Sequence, residues 1–319
     1  MANNPKAKAA SQTPHSHKVR TFFASVFGVI GVYLIISSIS VIWLNQTLTN
    51  TNVYVKTVSP LVTKPAIQNF IAAKVADQIT KNAPVQDIAA SFLPPSVIAS
   101  EPSTQIQQQV NKVIQQNVLK VIQSPNFATL WESTNRAAHQ AVVQQLNSGN
   151  LTSITLDLSP AINGVVSDLK TTQLAPAVAH INLAGKNNGV IVIKSKNLAH
   201  IHQYYQWFKE GTLAVVLLAI LAVAASIWLS VHHGKTARRI LFASGILLIL
   251  QGLILEAPAF ITVPSGDPTM EAAAKAFAGV LVHNLQVASL ALGVIFVIAA
   301  VGSKLYATKV AGKPQPKKA

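Results

Sequence analysis

Half of this 319-residue chain is apolar and only 11% is charged, against roughly 25% in an ordinary soluble domain, so much of it is built for a medium other than water. The formal charge of +15 would suit a nucleic-acid binder, but it sits in short segments beside apolar runs rather than on a basic stripe of a folded domain, which argues against nucleic acid. The absence of cysteine excludes thiolate catalysis and Cys-ligated zinc or iron–sulfur centres, and a large outside domain without disulfides suits a bacterium of the Gram-positive type.

Residues 1–20 form a basic tail, with Lys6, Lys8, Lys18 and Arg20 and no acid. Residues 21–44 are a first transmembrane helix. Its apolar core is longer than a cleavable signal peptide's and no small-residue cleavage site follows, so it reads as an uncleaved signal anchor. Trp43 closes it. Three more runs, 212–231, 240–261 and 285–301, reach the roughly 20 residues needed to cross a hydrocarbon core of about 30 Å. Tyr204, Tyr205, Trp207 and Phe208 crowd the entry to the second span, where amphipathic rings favour the headgroup level.

The segment 232–239 between the second and third spans carries Lys235, Arg238 and Arg239, and the tail 302–319 carries Lys304, Lys309, Lys313, Lys317 and Lys318. With four spans, these two segments and the N-terminal tail fall on one side of the membrane. Together they hold 12 basic residues and no acid. The positive-inside rule makes that side cytoplasmic and places both termini there, in a multi-pass cell-membrane protein. Their charge also suits anionic lipid headgroups of the inner leaflet. Small residues repeat every four positions at Ala222, Ser226 and Ser230 and at Ser289 and Gly293, the spacing that lets helix backbones approach in lipid.

The large segment 45–209 then lies outside the cytoplasm. It opens with a polar stretch, 45–59, followed by a helix after Pro65 with Ile67, Ile71, Val75 and Ile79 on one face. The Phe92-Leu93-Pro94-Pro95 linker separates it from a helix over 104–123, with Ile106, Val110, Ile114, Val118 and Val121 or Ile122 inward and a Gln-rich outer face. A third helix spans 127–146, with Phe127, Trp131, Ala138 and Val142 on one stripe. The period then falls to two over 154–158, the mark of a half-buried strand. A short helix from Ser159-Pro160 to about residue 169 follows, then a hairpin of 180–184 with 190–194 across Gly185–Gly189. The fold class expected is a mainly α membrane protein with four transmembrane helices and an α+β extracytoplasmic domain, helices first and a small β-sheet near its end. The segment 262–284 has good helix formers and is either a loop or an extension of the last helix.

Two stretches, 50–80 (NTNVYVKTVSPLVTKPAIQNFIAAKVADQIT) and 127–146 (FATLWESTNRAAHQAVVQQL), resemble an uncharacterised family of four-span membrane proteins common in actinobacteria. The strand and helix of 154–169 (ITLDLSPAINGVVSDL) and the last three spans fit the same layout, so the resemblance covers most of 20–305. This chain is rich in Lys, Asn and Gln where those proteins are rich in Arg and Asp. The resemblance implies an architecture and a location and brings no reaction, ligand or catalytic residue.

Candidate chemistry is sparse. Glu132, Arg136 and His139 lie on one side of the 127–146 helix. As an acid–base pair, Glu132 and His139 would have to reach one substrate atom, but two turns separate them, which favours an i,i+4 Glu132–Arg136 ion pair beside a boundary histidine. His200 and His202, with His180, would need an extended backbone to share a metal. No metal and no cofactor is expected. Gly234-Lys235-Thr236 lacks the glycine five positions earlier that a phosphate-binding loop requires. Glu256, the one acid within a span, is either part of a transport or proton path or reaches interfacial water beside Pro258. The function expected is a non-enzymatic membrane protein whose outer domain binds an envelope component, another protein or a second copy of itself. The alternative is a permease or mechanotransmission subunit working with a separate cytoplasmic ATPase, and an extracytoplasmic hydrolase ranks third.

Overall fold

The computed structural model describes residues 14–82, 85–148, 154–157, 159–172, 174, 175, 178, 190–193, 198–256 and 267–311. In chain order the elements are α1 (Pro14–Thr49), α2 (Thr51–Val58), a 3-10 turn (Ser59–Thr63), α3 (Pro65–Asn82), α4 (Val85–Ala90), α5 (Pro95–Ser100), α6 (Ser103–Ile122) and α7 (Pro125–Ser148). Then come β1 (Ile154–Asp157), α8 (Ser159–Leu169), β2 (Val190–Ile193), α9 (Leu198–Leu229), α10 (His233–Glu256) and α11 (Pro268–Ala311). The chain divides into two compact units. A span unit holds Met1–Ile42, Glu210–Ile254 and Leu285–Ala319, and an insert unit holds Trp43–Lys209 and Leu255–Asn284.

Four helices are long and apolar enough to cross a membrane: Lys18–Thr49, His202–Leu229, His233–Glu256 and Pro268–Lys309. This is the pattern of a multi-pass membrane protein. Their boundaries differ from the hydropathy reading because helix-forming residues continue past the apolar run at both ends. α10 already begins at His233, so the segment read as an eight-residue turn is mostly its first two turns. The connection is closed by Ser230, whose hydroxyl pairs with Thr236 Oγ1 at 2.6 Å and accepts from the His232 amide. Pro268 starts a single helix that runs to Ala311, which resolves the status of 268–284 in favour of an extension of the last helix. Asp267 caps it, accepting from the Thr269 amide and hydroxyl.

Within the span unit the helices meet at small residues. The Ser226 hydroxyl donates to the Ala24 carbonyl at 2.7 Å, and a Cβ added to Gly31 would stand 3.0 Å from Val223. Gly245 and Gly293 approach so closely that a Cβ on either would lie 2.8 Å from the other's carbonyl oxygen. Gly252 faces Leu290, and Gln251 Nε2 donates to Ser40 Oγ at 2.9 Å. The pairings fix direction: α1 runs antiparallel to α9 and parallel to α10, and α10 runs antiparallel to α11. Ser230 serves the α9–α10 connection, while Ala222, Ser226 and Ser289 are buried.

The insert unit corrects the expected α+β class. Its core is helical. Ile106, Val110, Ile114, Val118, Val121 and Ile122 of α6 are all buried, against Ala72, Ala76 and Ile79 of α3, Ile88 of α4, Phe127 of α7 and Leu169 of α8. Among the described residues, extended structure amounts to one antiparallel ribbon of two four-residue strands, with Ile154 opposite Ile193 and Asp157 opposite Val190. The period of two in 154–158 is real, but two strands have too little surface to form a layer, and the helices supply the core around α6. The expected hairpin partner of β2, residues 180–184, lies outside the described residues, and the described partner of β2 is β1.

The polar stretch 45–59 is also helical. α1 continues to Thr49, and Asn50 caps α2 by accepting from the amides of Asn52 and Val53. On α3 the expected face is rotated slightly, so that Ala72 and Ala76 are more deeply buried than Ile71 and Val75. A second cluster joins Val58, Leu61 and Ile67 to Ala273 of α11, with Tyr54, Phe70 and Trp131 alongside. Asn284 Nδ2 donates to Thr57 Oγ1 and Lys74 pairs with Asp267 at 3.2 Å, which ties the 268–284 stretch of α11 to α2 and α3.

Candidate functional site

The chemistry-bearing residues of α7 face α2. Arg136 reaches in two directions: Nη1 donates to Asn52 Oδ1 at 2.6 Å and Nη2 to Glu132 Oε1 at 3.1 Å. The ion pair is the i,i+4 pair expected from the spacing, and as an exposed pair it contributes about 0.5 kcal/mol. His139 lies under Tyr54, with ring centroids 4.2 Å apart and planes 21° from parallel. Its Nδ1 is 3.1 Å from Thr51 Oγ1, and it makes a further hydrogen bond with the Thr47 backbone. Trp131, about two turns earlier on α7, donates from Nε1 to the Val58 carbonyl at 3.3 Å.

Burial lowers the His139 pKa from its usual 6.5, against an opposing contribution from the Thr47 backbone bond. Burial also raises the Tyr54 pKa. The imidazole is held by the Thr51 hydroxyl and the Thr47 backbone, with the Tyr54 ring stacked on its face. Glu132 and His139 each hold separate partners. The arrangement is a clasp between α2 and α7, made of one guanidinium fork and one stacked histidine.

Sequence reasoning found the α7 half of this clasp and missed the α2 half, namely Thr51, Asn52 and Tyr54. The available signal was Asn50 followed by Thr-Asn-Val-Tyr, an N-cap ahead of a short amphipathic turn. It also missed the amide pair of Gln68 and Gln123. Gln68 is buried, accepts from Gln123 Nε2 at 3.2 Å and donates to the Val62 carbonyl at 2.7 Å.

The other predicted residues fall in three places. Glu256 ends α10, is exposed and belongs to the insert unit. The aromatic group divides: Tyr204 and Trp207 are about 60% exposed and meet edge to face at 6.1 Å, Tyr205 is buried, and Trp43 and Phe208 are half-buried. His202 is committed to the Leu146 carbonyl oxygen at 2.6 Å on a helical backbone. His180 lies outside the described residues, and no cluster of three metal-ligating side chains occurs among the described residues.

The basic residues converge. Because α1 and α10 run parallel and α9 and α11 oppose them, Lys18 and Arg20, then Lys235, Arg238 and Arg239, then Lys304 and Lys309 share one end of the span unit. Arg238 Nη1 donates to the Ser303 carbonyl at 3.4 Å, directly linking the second and third of these segments. All but the half-buried Arg238 are exposed. Compared with known proteins, the chain matches no family model, no curated protein and no solved structure.

Proposed function

We propose that this is a non-enzymatic protein of the cell membrane, with its basic end in the cytoplasm and its insert unit outside, where the insert unit binds a polar component of the cell envelope. The observation that carries this reading is how the polar side chains of the insert unit are used. Glu132, Arg136 and His139 are engaged in holding α2 to α7. The outer face of α6 instead leaves Gln105, Gln108, Lys112 and Gln116 exposed at helical spacing, beside Gln107, Gln109 and Gln115, on a helix without an acid. Amides and ammonium groups in that pattern offer many donors to a ligand rich in hydroxyl, carbonyl or phosphate oxygens. Orientation rests on the concentration of positive charge at one end of the span unit. The resemblance to four-span actinobacterial proteins remains an expectation from the sequence.

The test is co-sedimentation of the purified full-length protein with cell-wall fragments from the producing organism. Wild type is expected to sediment with the fragments. The double variant Gln108→Ala/Lys112→Glu is expected to stay in solution with an unchanged melting temperature. The permease reading is weakened by α10 starting at His233, which leaves little turn for an ATPase to grip. Stoichiometric recovery of a cytoplasmic ATPase from native membranes, lost when Lys235, Arg238 and Arg239 become Ala, would replace the proposal with that reading.

A further inference from the structure

The convergence of basic residues at one end of the span unit has no counter-charge within that unit. In the insert unit the described ion pairs are Lys74–Asp267, Arg136–Glu132 and Lys275–Glu271. The span unit contains a single acid, Glu210, and that residue precedes the apolar run of α9, at the opposite end from Lys235. The charge of Lys18, Arg20, Lys235, Arg239 and Lys304 is therefore balanced from outside the span unit.

A shallow hollow of about 470 Å³, open to the outside, lies at this same end over Lys18, Thr21, Phe22 and Ser25 of α1. These four positions follow the i, i+3, i+4, i+7 spacing and form one outward face of the helix. At 1.5 Å per residue, Lys18 and Ser25 are separated by about 10 Å along the axis. The polar headgroup zone of one leaflet is about 5–7 Å deep, so a helix face of that length runs from headgroup level into the acyl region. Its chemistry changes in the same direction. The ammonium of Lys18 stands at the outer end, and its flexible stem can reach the headgroups. The Phe22 ring, 64% exposed, stands further in. The Ser25 hydroxyl already donates to the Thr21 carbonyl, and Lys18 is the one cation of the four.

We propose that this face of α1 binds one anionic phospholipid, with its phosphate on Lys18 and an acyl chain along Phe22. The surrounding basic residues raise the local concentration of such lipids and discriminate against zwitterionic ones. This site is independent of any ligand of the insert unit, and it rests on the basic end lying at a membrane surface.

The experiment is native mass spectrometry of the full-length protein released from nanodiscs of equal parts phosphatidylglycerol and phosphatidylcholine, with melting temperature as a check on folding. Wild type should retain one phosphatidylglycerol in preference to phosphatidylcholine. Retention should weaken roughly fivefold in Lys18→Gln, the effect of one cation near an anionic surface, and return in Lys18→Arg. Phe22→Ala should also weaken it, and Lys275→Gln should leave it unchanged. Equal retention of the two lipids, or undiminished phosphatidylglycerol in Lys18→Gln, would overturn the proposal. Displacement of the lipid by millimolar inorganic phosphate would overturn it too, because the site would then recognise phosphate without needing the acyl chain. Lys18→Arg keeps the charge and so keeps the test decisive if Lys18→Gln fails to assemble.

Discussion

Helices in the span unit meet at glycine and serine, whereas in the insert unit they meet at isoleucine, valine and phenylalanine. The buried contacts of the span unit include Gly245 on Gly293, Gly31 on Val223 and Ser226 on a backbone carbonyl. Those of the insert unit are the six apolar residues of α6 wedged among α3, α4, α7 and α8. The difference follows from the solvent. In lipid a large apolar side chain gains little by moving from acyl chain to neighbouring helix, so association depends on close backbone approach and on hydrogen bonds. In water the same side chain gains about 25 cal/mol for each Å² removed from solvent, and size is rewarded. Side-chain hydrogen bonds cross between helices in both units, through Ser226 and Gln251 in the span unit and through Arg136, His139 and Gln68 in the insert unit.

The largest effect expected from breaking this contrast is in the insert unit. Ile114→Ala removes a fully buried side chain from the centre of α6 and should cost about 2–5 kcal/mol, visible as an early unfolding transition in a denaturant titration of the detergent-solubilised protein. An unchanged midpoint would mean that the α6 core is not what holds the unit together. Next, Gly245→Val should separate α10 from α11 and cost about 1–3 kcal/mol, because the new side chain meets the Gly293 carbonyl and Val297. Gly279→Ala, with open space around it, should leave the melting temperature within error. If both glycine variants behave alike, the small-residue account of the span unit fails. Ser226→Ala should cost less, about 0.6 kcal/mol, by removing the hydroxyl that donates to Ala24. A cost of several kcal/mol would show that hydrogen bonding outweighs backbone approach there.

The smallest effect is a pH dependence confined to the insert unit. Burial holds the folded pKa of His139 below its usual 6.5, so the unfolded chain takes up the proton first as the pH falls. The stability contributed by the neutral imidazole is complete above about pH 6.5 and is lost as the pH falls through the lowered folded value. The wild-type melting temperature should therefore drop between pH 7 and pH 5 by an increment that His139→Phe lacks, since the phenyl ring keeps the stack on Tyr54 without the proton. Identical pH profiles for the two proteins would remove His139 from the account of the clasp.

Much of the architecture was legible from residue order alone, for reasons tied to particular segments. The apolar runs were long enough to be recognised without a partner, and the α6 periodicity named each of its buried residues because one helix packed on several sides repeats its pattern strictly. The spacing of Glu132 and Arg136 similarly implied their pairing. Elements whose stability comes from partners distant in sequence were not legible. α2 is eight residues long and owes its helix to the Asn50 cap and to contacts with α7 some 80 positions away. The strand alternation in 154–158 announced extended structure but could not say that only a two-stranded ribbon would form, because the number of strands in a sheet depends on what else is near.

Hydropathy and charge order, both local properties of the chain, thus determined how many helices could span and which segments carry the positive charge. The tertiary structure decided the rest: that 268–284 continues the last helix and packs on α2 and α3, that His139 is enclosed by Thr51 and Tyr54, and that Lys18, Arg238 and Lys304 share one end of a bundle. Those outcomes depend on helix direction and on contacts between distant residues, which a chain acquires only when its helices pack.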